Sequence, residues 1–344
     1  MNSYISWMGK LTWIASHLLN DRRTGLISDL SKEFKISRPS ASKLVKQFIS
    51  DGWLITSGST HRPVYALGEN RIIQKVYKSD EVEEALLWER DFSPFFELPK
   101  NVRNIAHYGF TEIANNAHDH SECDNVAITM SIMDGILYIL ISDDGIGIFK
   151  KIQDAFNLPD PRLSLLELSK GKLTTDSSRH TGEGIFFTSK MFDSFNIDAN
   201  NLSFKHDVRS ERDVLFESPY DLGTSVLMSI ALDSTRESRD IFDQFTVPGE
   251  FTFSKTLVPV RLASIGGENL ISRSQAKRLV ARFDGFKTVI LDFDKIDEIG
   301  QAFSDEVFRV FRNAHPSVDL ISINMSSDVQ KMIKRVSVAD DVKK

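Results

Sequence analysis

Hydrophobic positions at the start of the chain recur at helical spacing in three successive segments. The first covers residues 7–19, and the second covers residues 28–34 with Ser28 as its expected N-cap. The third helix is expected to begin after Ser37, because a serine hydroxyl is a preferred N-cap. Pro39 falls in the first turn of that helix, where its missing N–H leaves no helical hydrogen bond unmade.

The third helix separates an apolar face from a polar one. Leu44, Val45 and Phe48 are expected to point inward at helical spacing. Two short strands follow over residues 53–56 and 63–67, and a polar turn joins them. The positions expected to face outward from the helix are Arg38, Ser40, Ser42, Lys43, Lys46 and Gln47.

The middle of the chain alternates between helical and strand patterns. Residues 101–121 have helical spacing, although Gly109 is a poor helix former inside that run. Residues 126–133 and 136–142 predict two strands joined by a tight turn. A later helix and a later strand are predicted over residues 185–192 and 225–231.

The C-terminal part alternates strands with helices after a charged stretch of weak periodicity. That stretch, residues 233–250, is predicted to be a linker. The alternation beyond it predicts a small α/β sandwich. Its predicted strands are residues 252–263, 288–293 and 318–324, and its predicted helices are residues 272–283, 303–312 and 328–336.

Composition places the chain among ordinary globular proteins with more than one domain. It has 344 residues, of which 41% are hydrophobic and 26% are charged. Its single cysteine, Cys123, excludes an internal disulfide and fits a reducing cytosol. The first residues lack the pattern of a secretory leader, and no apolar run reaches the about 18 residues of a membrane span. We therefore expect a cytoplasmic protein with no membrane partner.

The net charge of −6 is unevenly distributed along the chain. Residues 1–78 hold 12 Lys or Arg against 5 Asp or Glu, a net charge of +7, so residues 79–344 carry −13. A basic segment attached to an acidic body favours a polyanionic partner for that segment alone.

Three polar residues of the helix predicted over residues 101–121 lie on one stripe. Glu112, Asn116 and Asp119 are spaced at i, i+4 and i+7. An amide oxygen in such a stripe is a suitable ligand for Mg²⁺, and a nearby carboxylate is able to polarise a hydroxyl or water that attacks phosphate. For this stripe alone, a solvated helix face is the alternative.

Two glycine-containing motifs follow other elements. Asp143 comes directly after a strand and is followed by Gly145 and Gly147, which allows its carboxylate to accept from an adenine amino group; for this motif alone, an ordinary Asp-Gly turn is the alternative. Gly182 and Gly184 open a helix, where free backbone N–H groups bind phosphate oxygens. Residues 165–180 are a predicted lid over a triphosphate, with Lys170, Lys172, Thr174, Thr175 and Arg179 as candidate contacts, and a solvated loop is the alternative.

Gly223-Thr224 precedes the strand predicted over residues 225–231. In this order, the motifs resemble the GHKL ATP-binding fold of gyrase, histidine kinases and anti-sigma serine kinases. The likeness is greatest to the anti-sigma serine kinases, whose helix carries Glu-x-x-x-Asn-Ala-x-x-His. Glu112, Asn116, Ala117 and His120 match that pattern. Glu183 departs from the family because a carboxylate beside phosphate is repulsive, and the insertion over residues 201–221 departs from its compact form.

The resemblance implies an α+β Bergerat sandwich that binds ATP and Mg²⁺ in one pocket. It implies that Glu112 is a general base, that Asn116 ligates Mg²⁺, and that Asp143 holds adenine. The other ATP contacts that it implies are Asp119, Gly145, Gly147, Thr175, Gly182, Gly184 and Thr224.

Residues 26–67 resemble bacterial winged helix-turn-helix regulators. The resemblance implies that the third helix enters the DNA major groove and that the hairpin is the wing. Arg38, Lys43 and Lys46 would then contact phosphates or guanine edges, together with Ser40, Ser42 and Gln47 on the helix and Arg62 on the wing. A winged domain used for protein contacts is the alternative.

Residues 288–293 followed by residues 296–303 resemble STAS-like domains, which are relatives of anti-anti-sigma factors. In those factors a serine just after the strand is phosphorylated. Here the same register holds Gln301 and Ala302, and Ser304 is expected inside the following helix. A non-covalent surface for a protein partner is therefore the expectation for this domain.

Together these features predict a multidomain protein. Its predicted parts are a DNA-binding head over residues 1–70, a GHKL domain over residues 80–232 and a STAS-like tail over residues 250–344. The leading hypothesis is an ATP-dependent DNA-binding regulator that acts as a homodimer. Two alternatives stay open: a serine/threonine kinase of the anti-sigma type that acts on a separate protein, and an ATP-binding scaffold without turnover.

Overall fold

The computed structural model describes residues 2–19, 24–173, 182–208, 212–246, 252–265 and 268–341. Contacts divide the chain into two compact units. The first unit comprises Met1–Gly147 and Phe192–Glu237, and the second comprises Ile148–Met191 and Ser238–Lys344.

Helices and strands alternate along both units. The helices are α1 Asn2–Leu18, α2 Leu26–Glu33, α3 Arg38–Ser50, α4 Glu84–Leu87, α5 Lys100–His120, α6 Ile148–Ala155, α7 Ser164–Lys170, α8 Gly184–Met191, α9 Ser238–Gln244, α10 Arg273–Val280, α11 Gln301–Asp305, α12 Arg312–Ala314 and α13 Ser327–Asp341. The strands are β1 Leu54–Ser59, β2 Arg62–Leu67, β3 Arg71–Lys78, β4 Asn125–Met133, β5 Ile136–Asp143, β6 Ser194–Ala199, β7 Leu202–Asp207, β8 Arg212–Glu217, β9 Thr224–Ala231, β10 Lys255–Pro259, β11 Thr288–Asp292 and β12 Asp319–Ile323.

The N-terminal head consists of α1–α3 and the antiparallel hairpin β1–β2. The prediction for α3 is confirmed, since the Ser37 hydroxyl accepts from the backbone N–H of Ser40 and Pro39 lies in the first turn. The prediction that Ser28 caps α2 is wrong. That helix begins at Leu26 after Gly25, whose φ of 90° turns the chain so that Leu26 and Leu30 are both buried.

Helix α1 serves two parts of the first unit. Its residues Leu11, Ile14 and Leu18 belong to the hydrophobic core of the head. The same helix packs on β3, where the Thr12 hydroxyl accepts from the backbone N–H of Gln74 at 3.0 Å. The edge strand β3, which the sequence patterns did not predict, is therefore covered by α1 on its outer side.

The first unit contains a seven-stranded antiparallel sheet in the order β3-β4-β5-β9-β6-β7-β8. Burial alternates along its central strands, so one face of the sheet is covered and the other is more accessible. Helix α5 packs on β5 and β9 of this sheet. Strands β7 and β8 occupy the segment that was expected to be an insertion.

The second unit contains a three-stranded parallel sheet in the order β10-β11-β12. The Ser272 hydroxyl and the Gln275 side chain form a reciprocal capping box at the start of α10. Residues Glu306–Phe311 form a π-helical segment that continues α11 into α12. The predicted linker contains α9, whose Ile241 is buried, so part of that charged stretch is structured.

Gly109 is inside α5 because another side chain would not fit there. A Cβ at this position would lie 2.4 Å from the ring of Phe192 and 3.1 Å from the sulfur of Met228, and both of those residues are fully buried. The helix is unbroken at Gly109, and the close approach of α5 to the sheet depends on it.

We predict that Gly109→Ala destabilises the protein. The gain in helix propensity, about 1 kcal/mol, is smaller than the cost of overpacking a dense core, about 1–3 kcal/mol. Denaturant unfolding followed by circular dichroism measures the change.

Gly9→Ala is the matched control because Gly9 also lies inside a helix, but a Cβ there meets nothing within 4 Å. This variant should be more stable by about 0.5–1 kcal/mol. An equal gain from both substitutions would contradict the packing account.

Candidate functional site

Asp143 is a buried carboxylate at the end of β5. Asp143 is 7% exposed and lies on the covered face of the sheet. Its Oδ1 accepts from the backbone N–H of Gly145 at 2.9 Å and of Thr224 at 3.1 Å. Burial raises the pKa of Asp143, while these two N–H donors act in the opposite direction.

The chain around Asp143 is packed so closely that two positions require glycine. A Cβ at Gly145 would lie 2.0 Å from the carbonyl oxygen of Ser121, and one at Gly223 would lie 1.9 Å from the carbonyl oxygen of Asp143. Gly223 also has a φ of 58°. These contacts bring the end of α5, the loop after β5 and the start of β9 together.

The third glycine of the loop is anchored to another turn of the same unit. Gly147 has a φ of 82°, and its Cα lies against the side chain of Asn200. The Asn200 amide donates to the backbone oxygen of Ile146 at 3.0 Å. The loop therefore has a fixed path from Asp143 to Gly147.

The polar stripe of α5 lies close to this loop along the helix. The backbone N–H of Ile146 donates to Ser121, the residue that follows α5, at 2.9 Å. Asn116 precedes Ser121 by five residues, about 7.5 Å along a helix axis. Glu112 and Asn116 are half-buried, whereas Asp119 is exposed and lies 3.8 Å from the His118 ring.

A second polar cluster lies on the opposite face of the sheet from Asp143. The hydroxyls of Ser142 and Ser225 are 2.8 Å apart, and the side chain of Tyr220 lies near both. Burial and the nearby charges of Asp143 and Asp198 raise the pKa of Tyr220. The sequence patterns did not indicate this cluster, because its members become neighbours only through the pairing of β5 with β9.

The glycine motif of α8 belongs to the second unit. Gly184 is the first residue of α8, and the backbone oxygen of Gly182 accepts from the N–H of Leu173 at 2.9 Å. Burial raises the pKa of Glu183, and the charge of Lys172 opposes that shift. Thr174, Thr175 and Arg179 lie outside the described residues.

Lys170 does not fit the role of a phosphate contact. Its side chain has no exposed surface, and its Nζ donates to Glu167 at 2.8 Å. The same nitrogen donates to the backbone oxygens of Arg278 and Ala281 at 2.8 and 3.0 Å. The ammonium is therefore occupied by the C-terminal end of α10.

The residues expected to face DNA are mostly accessible. Arg62 is exposed at the tip of the hairpin, and Ser42 is half-buried. On α3 the exposed members of the set are Arg38, Ser40, Lys43, Lys46 and Gln47. Ser40 also donates its backbone N–H to the N-cap, so its local position is fixed.

Residues 275–330 match the model of a family described as a STAS-like domain of unknown function (DUF4325). The match covers β11, β12, α11 and α12, together with most of α10. It confirms the expectation that the C-terminal part is STAS-like. None of the curated proteins matches the chain. The resemblances of the head and of the middle region stay predictions.

Ser304 lies within α11, as expected, and it is fully buried. Its hydroxyl is enclosed by the STAS-like domain and so is not presented to a kinase. Among the described helices, none has the length and apolar character that crossing a membrane requires.

Burial lowers the pKa of Lys170 from 10.5 to about 8, although the charge of Glu167 opposes the shift. Between these pH values the unfolded chain binds more protons than the folded protein. Raising the pH from 8 to 10.5 should therefore increase the contribution of Lys170 to the free energy of unfolding, by on the order of 3 kcal/mol.

We predict that the unfolding free energy of the wild type, minus that of Lys170→Met, increases as the pH rises from 8 to 10.5. Urea unfolding at a series of pH values measures it. Lys150→Met is the control because Lys150 is exposed in its pair with Asp154. A difference that stays constant with pH for Lys170→Met would show that the lysine is not desolvated.

Proposed function

We propose that this protein is an ATP-dependent DNA-binding regulator. In this proposal residues 80–232 form a GHKL-type nucleotide-binding domain and residues 1–70 form a winged helix-turn-helix head. Binding or hydrolysis of ATP changes the affinity of the head for DNA, and two chains act together on paired half-sites.

The observation that carries the proposal is the environment of Asp143. A buried carboxylate is costly unless donors satisfy it, and here two backbone N–H groups donate to Oδ1. The carboxylate has acceptor capacity beyond those two bonds. An exocyclic amino group of adenine is a donor of the right kind, and Thr224 would support the same base.

The magnesium and phosphate contacts are proposed residue by residue. Asn116 would ligate Mg²⁺, which in proteins keeps few protein ligands and takes the rest from phosphate and water. Glu112 would polarise the attacking water, with Asp119 on the same stripe. The backbone N–H groups of Gly182 and Gly184 would donate to phosphate oxygens.

The head supplies the proposed DNA surface. The net charge of +7 on residues 1–78 contrasts with −13 on the remainder, and exposed lysines lie on α3. Positive charge concentrated on one segment favours binding to the phosphate backbone. Lys43 and Lys46 are one helical turn from each other, as two adjacent phosphate contacts require.

A DNA titration without nucleotide, with ADP and with a non-hydrolysable ATP analogue tests the proposal. We predict that Asp143→Asn abolishes ATP binding and the response of DNA affinity to the analogue. The asparagine oxygen would take the two backbone N–H bonds, so its amide nitrogen would face the adenine amino group donor to donor. Isothermal titration calorimetry measures the nucleotide affinity.

Asp198→Asn is the matched control, since Asp198 lies in the same sheet but on the face opposite to Asp143. This variant should bind ATP like the wild type. Equal ATP affinity in wild type and Asp143→Asn would remove the adenine site from consideration. A DNA affinity that is the same in all three nucleotide states would refute the regulatory proposal.

We predict that Lys43→Ala combined with Lys46→Ala weakens DNA binding for every sequence. The slope of log affinity against log salt should fall by about 1.8, since each lost phosphate contact removes about 0.9. Fluorescence anisotropy over a salt series measures both quantities.

Lys150→Ala with Lys151→Ala is the control, because it removes the same charge from a helix outside the head. The control should leave the slope unchanged. If both double variants behave alike, the head does not contact DNA through α3.

A further inference from the structure

Arg282 of the STAS-like domain makes four directed contacts to the segment before the α8 glycine motif. Its Nε donates to Glu167 Oε2 at 2.8 Å, and its Nη2 donates to the backbone oxygen of Glu167 at 2.9 Å. Its Nη1 donates to the backbone oxygen of Lys172 at 2.9 Å. The guanidinium also lies over the ring of Phe156, 5.4 Å from its centroid.

The contacts of the Arg282 side chain, and not its backbone conformation, account for arginine at this position. Its φ of 65° is in the left-handed region, where a residue other than glycine is disfavoured. Arginine occupies the position, and each of its three guanidinium nitrogens donates to Glu167 or Lys172. The planar fork of arginine matches this combination of carboxylate and carbonyl oxygens, whereas lysine would not.

The contacts continue from Lys172 to the glycine motif. Lys172 Nζ donates to the backbone oxygen of Gly285 at 2.9 Å and lies over the ring of Phe286. The next residue, Leu173, donates its N–H to the oxygen of Gly182. Gly182 has a φ of 70°, and a Cβ there would lie 2.4 Å from the Leu173 carbonyl carbon. The path of residues 171–173 therefore sets the position of Gly182.

We propose that Arg282 is a positioning residue for the Gly182–Gly184 turn, through which the STAS-like domain sets the affinity of the protein for the phosphates of ATP. This inference rests on the proposed function, because it takes that turn as the phosphate contact. Arg282 touches no phosphate itself. It acts through the backbone of Lys172 and Leu173.

A positioning role and a purely structural role for Arg282 predict different effects on the affinity for adenosine. If Arg282 only stabilised the fold, its loss would weaken adenosine and ATP binding together. If it positions the phosphate turn, adenosine binding survives because the base contacts belong to Asp143 and its neighbours.

The test uses the full-length chain with Arg282→Ala and Arg282→Lys, and calorimetry with Mg-ATP and with adenosine. We expect the Kd for Mg-ATP to rise about tenfold or more in both variants, with the Kd for adenosine unchanged within about twofold. Arg309→Ala is the control, because Arg309 forms a comparable pair with Asp305 in the same domain. It should leave both affinities unchanged.

Amide hydrogen exchange at Leu173 gives a second reading that does not depend on nucleotide. Exchange should be faster in both Arg282 variants than in wild type or Arg309→Ala. The positioning role is overturned if the ratio of the Kd for ATP to the Kd for adenosine in Arg282→Lys equals that of the wild type. It is also overturned if exchange at Leu173 is unchanged in the Arg282 variants. If the wild type binds no ATP but exchange at Leu173 is still faster in the Arg282 variants, the proposed function is refuted. The conclusion that Arg282 positions the turn would then still stand.

Discussion

One-sided burial of the seven-stranded sheet is the constraint on which the rest of the first unit depends. Along β5 and β9 every second residue is buried, and α5 covers that face so closely that Gly109 cannot carry a side chain. The buried rows end in Asp143 and Thr224 instead of apolar residues. The alternation that forms the hydrophobic core therefore also places the polar side chains of Asp143 and Thr224 at the edge of that core, where backbone N–H groups are available as donors.

The second unit is organised around charge that is buried and fully paired. Lys170, Glu167 and Arg282 form a network in which each member has a partner of opposite charge and at least one backbone contact. Glu167 is the shared counter-charge, so removing it would leave the buried Lys170 without a partner of opposite charge, which costs more than the pair contributes. The network joins α7 to the end of α10, so the segment before the α8 glycine motif depends on the STAS-like domain for its position.

Local signals predicted the elements whose causes are local. Ser37 and Pro39 mark the start of α3, and the alternation of β4 and β5 marks strands that have one covered face. Strand β3 was missed because its pattern is set by α1 packing on its edge, and β7 and β8 were taken for an insertion. Lys170 was misassigned for a related reason: the polar composition around it does not reveal that Arg278 and Ala281, more than a hundred residues later, supply its acceptors.

The same distinction decides how much of the candidate site is visible in the sequence. Asp143 and the glycines after it form a continuous motif, so they were found; Tyr220 and Arg282 act through residues remote in the chain, so they were not. The structural connection between Asp143 and the head also depends on residues remote in the chain. In the sheet, Asp143 pairs in register with Val126, and Val126 pairs with Tyr77 of β3, the strand on which α1 packs. Because α1 also belongs to the core of the head, the surroundings of Asp143 are connected to the head through paired strands and packed side chains.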